Sequence, residues 1–345
     1  MANGTFGGGT GISTDPYLVE DALDLVAVKN NLTAYYKQTA DINISSYTNW
    51  NPIGNGMTEA TFSGEYNGNN FSVYNLTIDA SDDGYWGLFG LLNENGKISK
   101  LKVINIDITV TNSLNVGGLV GLSSVNSIIE YCFTSGNISS TGDYVGGIIG
   151  LSNSDITYSS STCYITGNDY VGGFVGLATG DISNSYATGK VVGHEYVGGF
   201  VGLVSDTFTM LNCFSIGEII ASDYSGGFCG LNAGIVTNSY YDYQTSGQSD
   251  EDDKGEPKTT VQMQTQSTYS GWDFVNTWGI KTNYNADYPY LLQQFVLMDK
   301  MDKPIKNAVQ SPKSVQASKA TLYNSEGTKT IEYVFLSNGM IIAEK

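Results

Sequence analysis

The chain has 345 residues, 42 of them glycine and 24 tyrosine, with no arginine and a formal charge of −18. Glycine at this frequency, without an every-third-residue period and with only 6 prolines, excludes collagen and points to many tight turns or close backbone approaches; 41 % apolar and 12 % aromatic residues supply a large core. The acidic balance argues against a nucleic-acid partner, whose phosphates are gripped by Lys and Arg, and no apolar run approaches the roughly 18–20 residues that insert across a membrane.

Residues 1–84 read as an N-terminal cap with its own first coils. Met1 to Gly11 holds neither the cationic segment nor the apolar stretch of a secretory signal, so the expectation is a chain made in the cytoplasm without a signal peptide. Asp15-Pro16 opens an ordered segment in which Val19, Ala22, Leu23, Leu25 and Val26 suit one amphipathic helix, followed by the strand-like stretch 35–44. A repeat array needs such a cap, because its first coil would otherwise present bare strand edges.

Residues 85–248 carry one returning phrase: Trp86-Gly-Leu-Phe-Gly-Leu91, Gly117-Gly-Leu-Val-Gly-Leu122, Gly146-Gly-Ile-Ile-Gly-Leu151, Gly172-Gly-Phe-Val-Gly-Leu177, Gly198-Gly-Phe-Val-Gly-Leu203 and Gly226-Gly-Phe-Cys-Gly-Leu231. The last glycines are spaced by 31, 29, 26, 26 and 28 residues. A second phrase follows each of the later five, beginning at Cys132, Cys163, Ser185, Cys213 and Ser239. A period of this length marks a solenoid, whose units bury apolar surface only by stacking. Runs of 4–6 residues rich in Val, Ile, Tyr, Phe and Thr, broken by Gly, Asn, Asp and Ser, predict about three short strands per unit and no long helix. The expected fold is therefore all-β, a right-handed parallel β-helix with strands about 4.8 Å apart. Like then stacks on like: Leu91, Leu122, Leu151, Leu177, Leu203 and Leu231 form one ladder, and Phe133, Tyr164, Tyr186, Phe214 and Tyr240 another.

The same register lines up the chemistry. Tyr85, Tyr144, Tyr170, Tyr196 and Tyr224, interrupted by Asn115, make a row suited to stacking on sugar faces, to joining a protein interface, or simply to packing turns. Asp143, Asp169, Glu195 and Asp223 precede those tyrosines and form an acidic column, readable as weak cation ligands or as a solvated edge. Carboxyls two coils apart approach the roughly 6.5–9.5 Å of inverting glycosidases, but any regular ladder yields that spacing. Phe174, Phe200 and Phe228 alternate with glycine beside an equally apolar column, so one column faces outward as an interface stripe unless the Gly-Gly step is a bulge. Cys132, Cys163 and Cys213 fall in one column and read as small buried thiols; with Cys229 and the lone His194 they match no zinc spacing. His194 has no Ser or Cys partner in sequence, and no phosphate loop occurs, so neither a catalytic residue nor a cofactor is expected.

The string Val171-Gly-Gly-Phe-Val-Gly-Leu-Ala-Thr-Gly-Asp-Ile-Ser-Asn-Ser-Tyr-Ala-Thr-Gly189 closely resembles the GLUG-motif repeat of bacterial surface and adhesin-like proteins. Residues 9–19, Trp50-Asn-Pro-Ile-Gly54 and Phe62-Ser-Gly64 resemble the leader before such repeats, and Asn238-Ser-Tyr-Tyr-Asp242 and Gly271-Trp-Asp-Phe274 through Tyr288-Pro-Tyr-Leu291 their ending, so the resemblance covers 9–292. Such repeats occur in adhesins, in accessory regions of proteases and in phage-encoded virion proteins; the missing signal favours the phage type.

Residues 249–292 comprise an acidic loop, Ser249-Asp-Glu-Asp-Asp-Lys-Gly-Glu-Pro257, and a C-terminal cap. Lys254 occupies a ligand position and breaks the EF-hand pattern. Trp272, Phe274, Trp278, Tyr288 and Tyr290 read as a plug. Residues 293–345 reverse the charge, with 7 Lys against 5 acids, and 328–336 and 340–344 are strand-like around Ser337-Asn338-Gly339, a hairpin signal. This tail module is expected to anchor the chain to other virion or assembly subunits. The resemblance implies a non-enzymatic virion or extracellular-surface protein, a tail or head appendage that recognises a host cell-surface glycan or protein, with a homo-oligomer possible in a fibre. A β-helical polysaccharide depolymerase and a structural spacer are the alternatives.

Overall fold

Apolar runs too short for a stable helix suffice for one rung of a parallel sheet, and the chain uses them that way. The computed structural model describes residues 6–56, 60–249 and 253–293, with the backbone of the strands Ala317–Tyr323, Lys329–Leu336 and Ile341–Glu344. In one coil the strands are Val171–Gly172, Val175–Ala178, Ile182–Ser183, Tyr186–Ala187 and Val191–Val192. Each pairs in parallel with its equivalent in the next coil: Val171 with Val197, Val175 with Val201, Ile182 with Met210, Tyr186 with Phe214 and Val191 with Ile219. The product is a right-handed parallel β-solenoid whose sheets hold 5, 6, 9 and 13 strands. A coil thus has five short segments instead of the expected three, because Gly and Asn bend it at more corners.

The interior is a set of like-on-like columns. Ile98, Ile129, Ile156, Ile182 and Met210 form one, and Ile108, Ile138, Ile165, Val191 and Ile219 another, all buried. Burying such a side chain contributes about 1.5–3 kcal/mol. The glycines of the repeated phrase sit where backbones approach closely. A Cβ on Gly173 would lie 2.3 Å from the Gly199 carbonyl oxygen, and one on Gly176 would lie 2.6 Å from the Gly150 oxygen and 2.7 Å from that of Tyr170. Backbone from two coils closes on these positions, so only glycine fits.

The leucine ladder is as expected, Leu91 through Leu231 in consecutive register. The second ladder needs one correction. Ser160, not Tyr164, pairs with Phe133 and Tyr186, while Tyr164 pairs with Asn137. Cys163 therefore leaves the Cys132 and Cys213 column, and Ser159 takes its place. Thr166-Gly167 imitates Thr188-Gly189; the better guide is that Ser159 precedes its Gly-Gly by 13 residues, as Ser185 and Cys213 do. In this column the Ser159 hydroxyl accepts from the Cys132 N–H at 3.0 Å and donates to the Thr157 carbonyl at 2.9 Å. Ser239 does the same for Cys213 and Thr237, at 3.1 and 3.0 Å. The thiols of Cys132 and Cys213 donate to the carbonyls of Glu130 and Leu211. All four cysteines are free and buried.

Both ends are closed by different means. At the N-terminus, Gly7 and Gly8 hydrogen-bond Leu18, covering the strand Tyr17–Val19, which pairs with Tyr35–Gln38. The expected helix spans only Ala22–Ala27, capped by Asp21; Val19 is a strand residue and Leu23 points outward. The stretch 35–44 splits into strands Tyr35–Gln38 and Ile42–Asn43. At the other end the Tyr241 ring fills the space beside Gly227. Met263, Tyr269, Trp272, Trp278, Tyr288 and Leu291 pack with Tyr186, Phe214 and Tyr240. The C-terminal aromatics thus cover the flank of three coils, with Trp278 reaching Asn184. Of the acidic loop, 250–252 lie outside the described residues. Residues 293–345 are a separate compact unit whose described part is a three-stranded antiparallel sheet with Lys329–Leu336 central. Its strand Ala317–Tyr323 had no sequence signal, and Ser337 to Gly339 lie outside the described residues.

This packing can be tested at its glycines and its thiols. Gly176→Ala forces a methyl into backbone and should lower the urea midpoint by the equivalent of about 1–3 kcal/mol, whereas Gly8→Ala, meeting only the Leu18 side chain at 3.4 Å, should change it by less than about 0.5 kcal/mol. Burial pushes the thiols of Cys132 and Cys213 up to about 12 and that of Cys163 up to about 11, so a thiol reagent at neutral pH should label none of them until the chain unfolds. Rapid native labelling would contradict the assigned burial. Cys132→Ser should cost at most about 1 kcal/mol, since serine already fills this column at Ser159, Ser185 and Ser239.

Candidate functional site

The tyrosine row begins with a backbone problem. Tyr144, Tyr170, Tyr196 and Tyr224 have φ between 45° and 55°, and Asn115 has φ 64°, so each sits in the left-handed region that asparagine or glycine occupies with least strain. A tyrosine there costs roughly 1–2 kcal/mol of backbone energy. Ring stacking offsets it. Centroids are 5.0 Å apart for Tyr144–Tyr170, 4.7 Å for Tyr170–Tyr196 and 5.1 Å for Tyr196–Tyr224, with interplanar angles of 19°, 8° and 12°. Each such pair contributes about 0.5–1.5 kcal/mol. Tyr85 lacks the left-handed backbone and stands apart, because Asn115 occupies the rung between it and Tyr144.

Stacking decides what this row presents. The inner rings use both faces on one another, so edges and phenol hydroxyls meet solvent, and none of these four hydroxyls bonds to a described residue. Partial desolvation raises the phenol pKa of Tyr170 and Tyr196, helped by the adjacent tyrosines and by Asp169 and Glu195. A second stack had no counterpart in the sequence reading: Tyr131 and Tyr158 lie 4.8 Å apart at 5°. They too are left-handed, in a column with Lys100, Asn184, Asn212 and Asn238. The signal is a Tyr or Asn immediately before Cys132, Ser159, Ser185, Cys213 and Ser239.

Two members of the acidic column, Asp143 and Asp169, are staples between coils, whereas Glu195 makes no such bond among the described residues and Asp223 turns back to the Tyr224 N–H. Asp143 Oδ1 accepts from the Asp169 N–H at 3.2 Å and from Asn168 Nδ2 at 2.8 Å. Asp169 Oδ1 accepts from the Glu195 N–H at 3.1 Å and pairs with His194 Nδ1 at 2.9 Å. A second file repeats the device, Asp155 bonding the Asp181 N–H and Asp181 the Thr209 N–H. Each of these four aspartates satisfies a turn N–H of the next coil, which offsets the repulsion between stacked acids. No group of three His, Cys, Asp or Glu placed to hold a metal occurs among the described residues.

The phenylalanine column requires a correction. Phe174, Phe200 and Phe228 are wholly buried and stack at 4.7 and 4.9 Å inside the solenoid. The bend at Gly173-Phe174 separates two strands, so Phe174 and Val175 both point inward without violating strand alternation. The outward apolar column is the leucine ladder, which is half-buried from Leu91 to Leu231.

Residues 167–192 match the GLUG motif. A 153-residue stretch is 35 % identical to halomucin of Haloquadratum walsbyi, covering 41 % of this chain and 2 % of that protein. A 124-residue stretch is 35 % identical to a Gly-rich membrane protein candidate of Evansella cellulosilytica, covering 34 % of this chain and 14 % of the other. The chain thus spans a small fraction of these relatives. The fold is similar to the crystal structure of an immunoglobulin A1 protease candidate from Bacteroides ovatus, with TM-score 0.67, 20 % identity, and coverage of 85 % of this chain and 97 % of that one. An IgA1 protease structure aligns with TM-score 0.53 and 20 % identity over 65 % of this chain and 19 % of its own. At these identities the likeness concerns the fold alone. This chain is therefore a GLUG-motif-containing right-handed β-solenoid.

The stapled histidine provides a direct check. The bond to Asp169 raises the His194 pKa, with Glu195 and Asp223 adding to it. Its contribution to stability is fully present below the pKa of the unfolded chain and fades as pH rises through the folded value. Because His194 is the single histidine, its ring resonances should titrate above the free-imidazole midpoint, and Asp169→Asn should bring the midpoint down. An unchanged midpoint in that variant would discard the pair.

Proposed function

We propose that this chain is a non-enzymatic recognition solenoid displayed on a cell or virion surface, where it binds a surface glycan or protein. The observation that carries this reading is the tyrosine row. Four tyrosines occupy left-handed corners, although Asn115 fills the equivalent corner of a neighbouring coil with less backbone strain. Their hydroxyls and ring edges lie in line along the outside, on a scaffold whose interior is fully committed to packing. The GLUG motif, and the stretches shared with a halomucin and a membrane-protein candidate, support a place in larger surface proteins. The charge-reversed unit 293–345 serves in this reading as the attachment to neighbouring subunits.

The test uses the corner chemistry itself. Asparagine suits a left-handed corner, so a triple variant with Tyr144→Asn, Tyr170→Asn and Tyr196→Asn should keep the parent's circular-dichroism melt. It should bind cells or printed glycans at least about ten-fold more weakly, the scale expected from losing aromatic contacts worth about 0.5–1.5 kcal/mol each. Undiminished binding by the folded variant would remove the row from the function. Release of reducing ends from a bound polysaccharide by the parent chain would replace recognition with depolymerisation.

A further inference from the structure

A stack of rings offers open faces only at its ends. Tyr170 is covered by Tyr144 and Tyr196, and Tyr196 by Tyr170 and Tyr224. Beyond Tyr224 the row stops, because Ser225–Gly226 is the last strand of its sheet. Tyr224 is accordingly 50 % exposed and has no ring contact other than Tyr196 among the described residues, whereas Tyr144, Tyr170 and Tyr196 are half-buried. The acids beside the row change role before it ends. Asp143 and Asp169 staple the following coil, Glu195 makes no such bond among the described residues, and Asp223 Oδ1 turns back to the Tyr224 N–H at 2.9 Å while its Oδ2 has no hydrogen-bond partner among the described residues. The opposite end of the stack differs, since Asn115 occupies the next corner with its Oδ1 buried.

From this convergence of a half-exposed terminal ring and a carboxylate oxygen with no hydrogen-bond partner among the described residues we infer that Tyr224 and Asp223 form a terminal subsite for a neutral pyranose. The axial C–H face of such a sugar packs on the free side of the Tyr224 ring, and vicinal hydroxyls donate to Asp223 Oδ2. Charge selects the ligand class. The chain carries −18 and the subsite holds a carboxylate, so uronic acids and sulfated sugars are repelled. A second copy stacked on the same ring would bring Asp223 against Asp223, which disfavours self-association there. The inference deepens the recognition reading and rests on it, adding a face-on sugar contact at the last rung to the ring edges presented along the row.

The experiment titrates the full chain, by calorimetry, with neutral gluco-, galacto- and manno-configured tetrasaccharides and a uronic-acid tetrasaccharide. At least one neutral probe should bind and the uronic probe should not. Tyr224→Ala should weaken binding about ten-fold or more, Tyr224→Phe should stay within about three-fold because the ring face is kept, and Asp223→Asn should weaken it several-fold. Melting curves establish that each variant is folded. Parent-like affinity in Tyr224→Ala, together with loss in the Tyr144→Asn, Tyr170→Asn and Tyr196→Asn variant, overturns the subsite while leaving the row as the recognition surface. Preference for the uronic probe, or dimerisation abolished by Tyr224→Ala without sugar binding, also overturns it. If no probe binds, the subsite fails, whereas the wider reading fails only if cells and printed glycans are left unbound as well.

Discussion

Every coil of this molecule lies one strand spacing, about 4.8 Å, from the next, in register, so that each side chain meets its own equivalent above and below. That single constraint sorts residues by whether they tolerate themselves. Aliphatic and aromatic side chains do, and gain from it: Phe174, Phe200 and Phe228 stack inside, and Tyr144 through Tyr224 stack outside. Charges do not. Two like charges at 4 Å repel by about 1 kcal/mol in water and by about 4 kcal/mol at an effective dielectric of 20. The 14 % of charged residues and the absence of arginine are what a lattice of this kind selects for.

Four of the acids that persist are bonded into the lattice. Asp143, Asp169, Asp155 and Asp181 each accept a backbone N–H from the succeeding coil, turning a repeated charge into a repeated hydrogen bond. Corners impose a second demand, for residues that accept positive φ. Asparagine meets it at Asn184, Asn212 and Asn238; tyrosine meets it at Tyr131 and Tyr158 only because a stacked neighbour offsets the strain. Corner columns are therefore where backbone strain and surface chemistry are exchanged.

The same constraint explains what could be read from the chain alone. Gly172-Gly173 and Leu177 recur with their whole environment, so period, parallel pairing and the leucine register follow from their spacing. Facing was harder. Alternation along one strand cannot say whether Phe174 or Val175 is inside, because the answer depends on a bend at Gly173 that places both inside. Cys163 misled because its Thr166-Gly167 matches the right letters at the wrong distance from Gly172. The acids kept their purpose hidden for a different reason: the bond from Asp143 to the Asp169 N–H exists only once two coils are stacked. The candidate tyrosines were visible as a column, but not the loss of their faces to one another.

A periodic lattice also limits where a unique site can be. Any geometry within the array is repeated in every coil, so selectivity for one ligand has to arise where repetition fails. It fails at Asn115, which interrupts the rings, at His194, which gives one acid an imidazole partner, and at the rung of Tyr224 and Asp223, where stacking ends. The N-terminal end is sealed by Gly7 and Gly8 on Leu18 and by the helix Ala22–Ala27, and Tyr241 fills the last interior position at the other end. Those closures use backbone and buried rings. On the outside, by contrast, the terminal Tyr224 is half exposed and stacks on Tyr196 alone among the described rings, so its column lacks the contact that a further coil would have supplied.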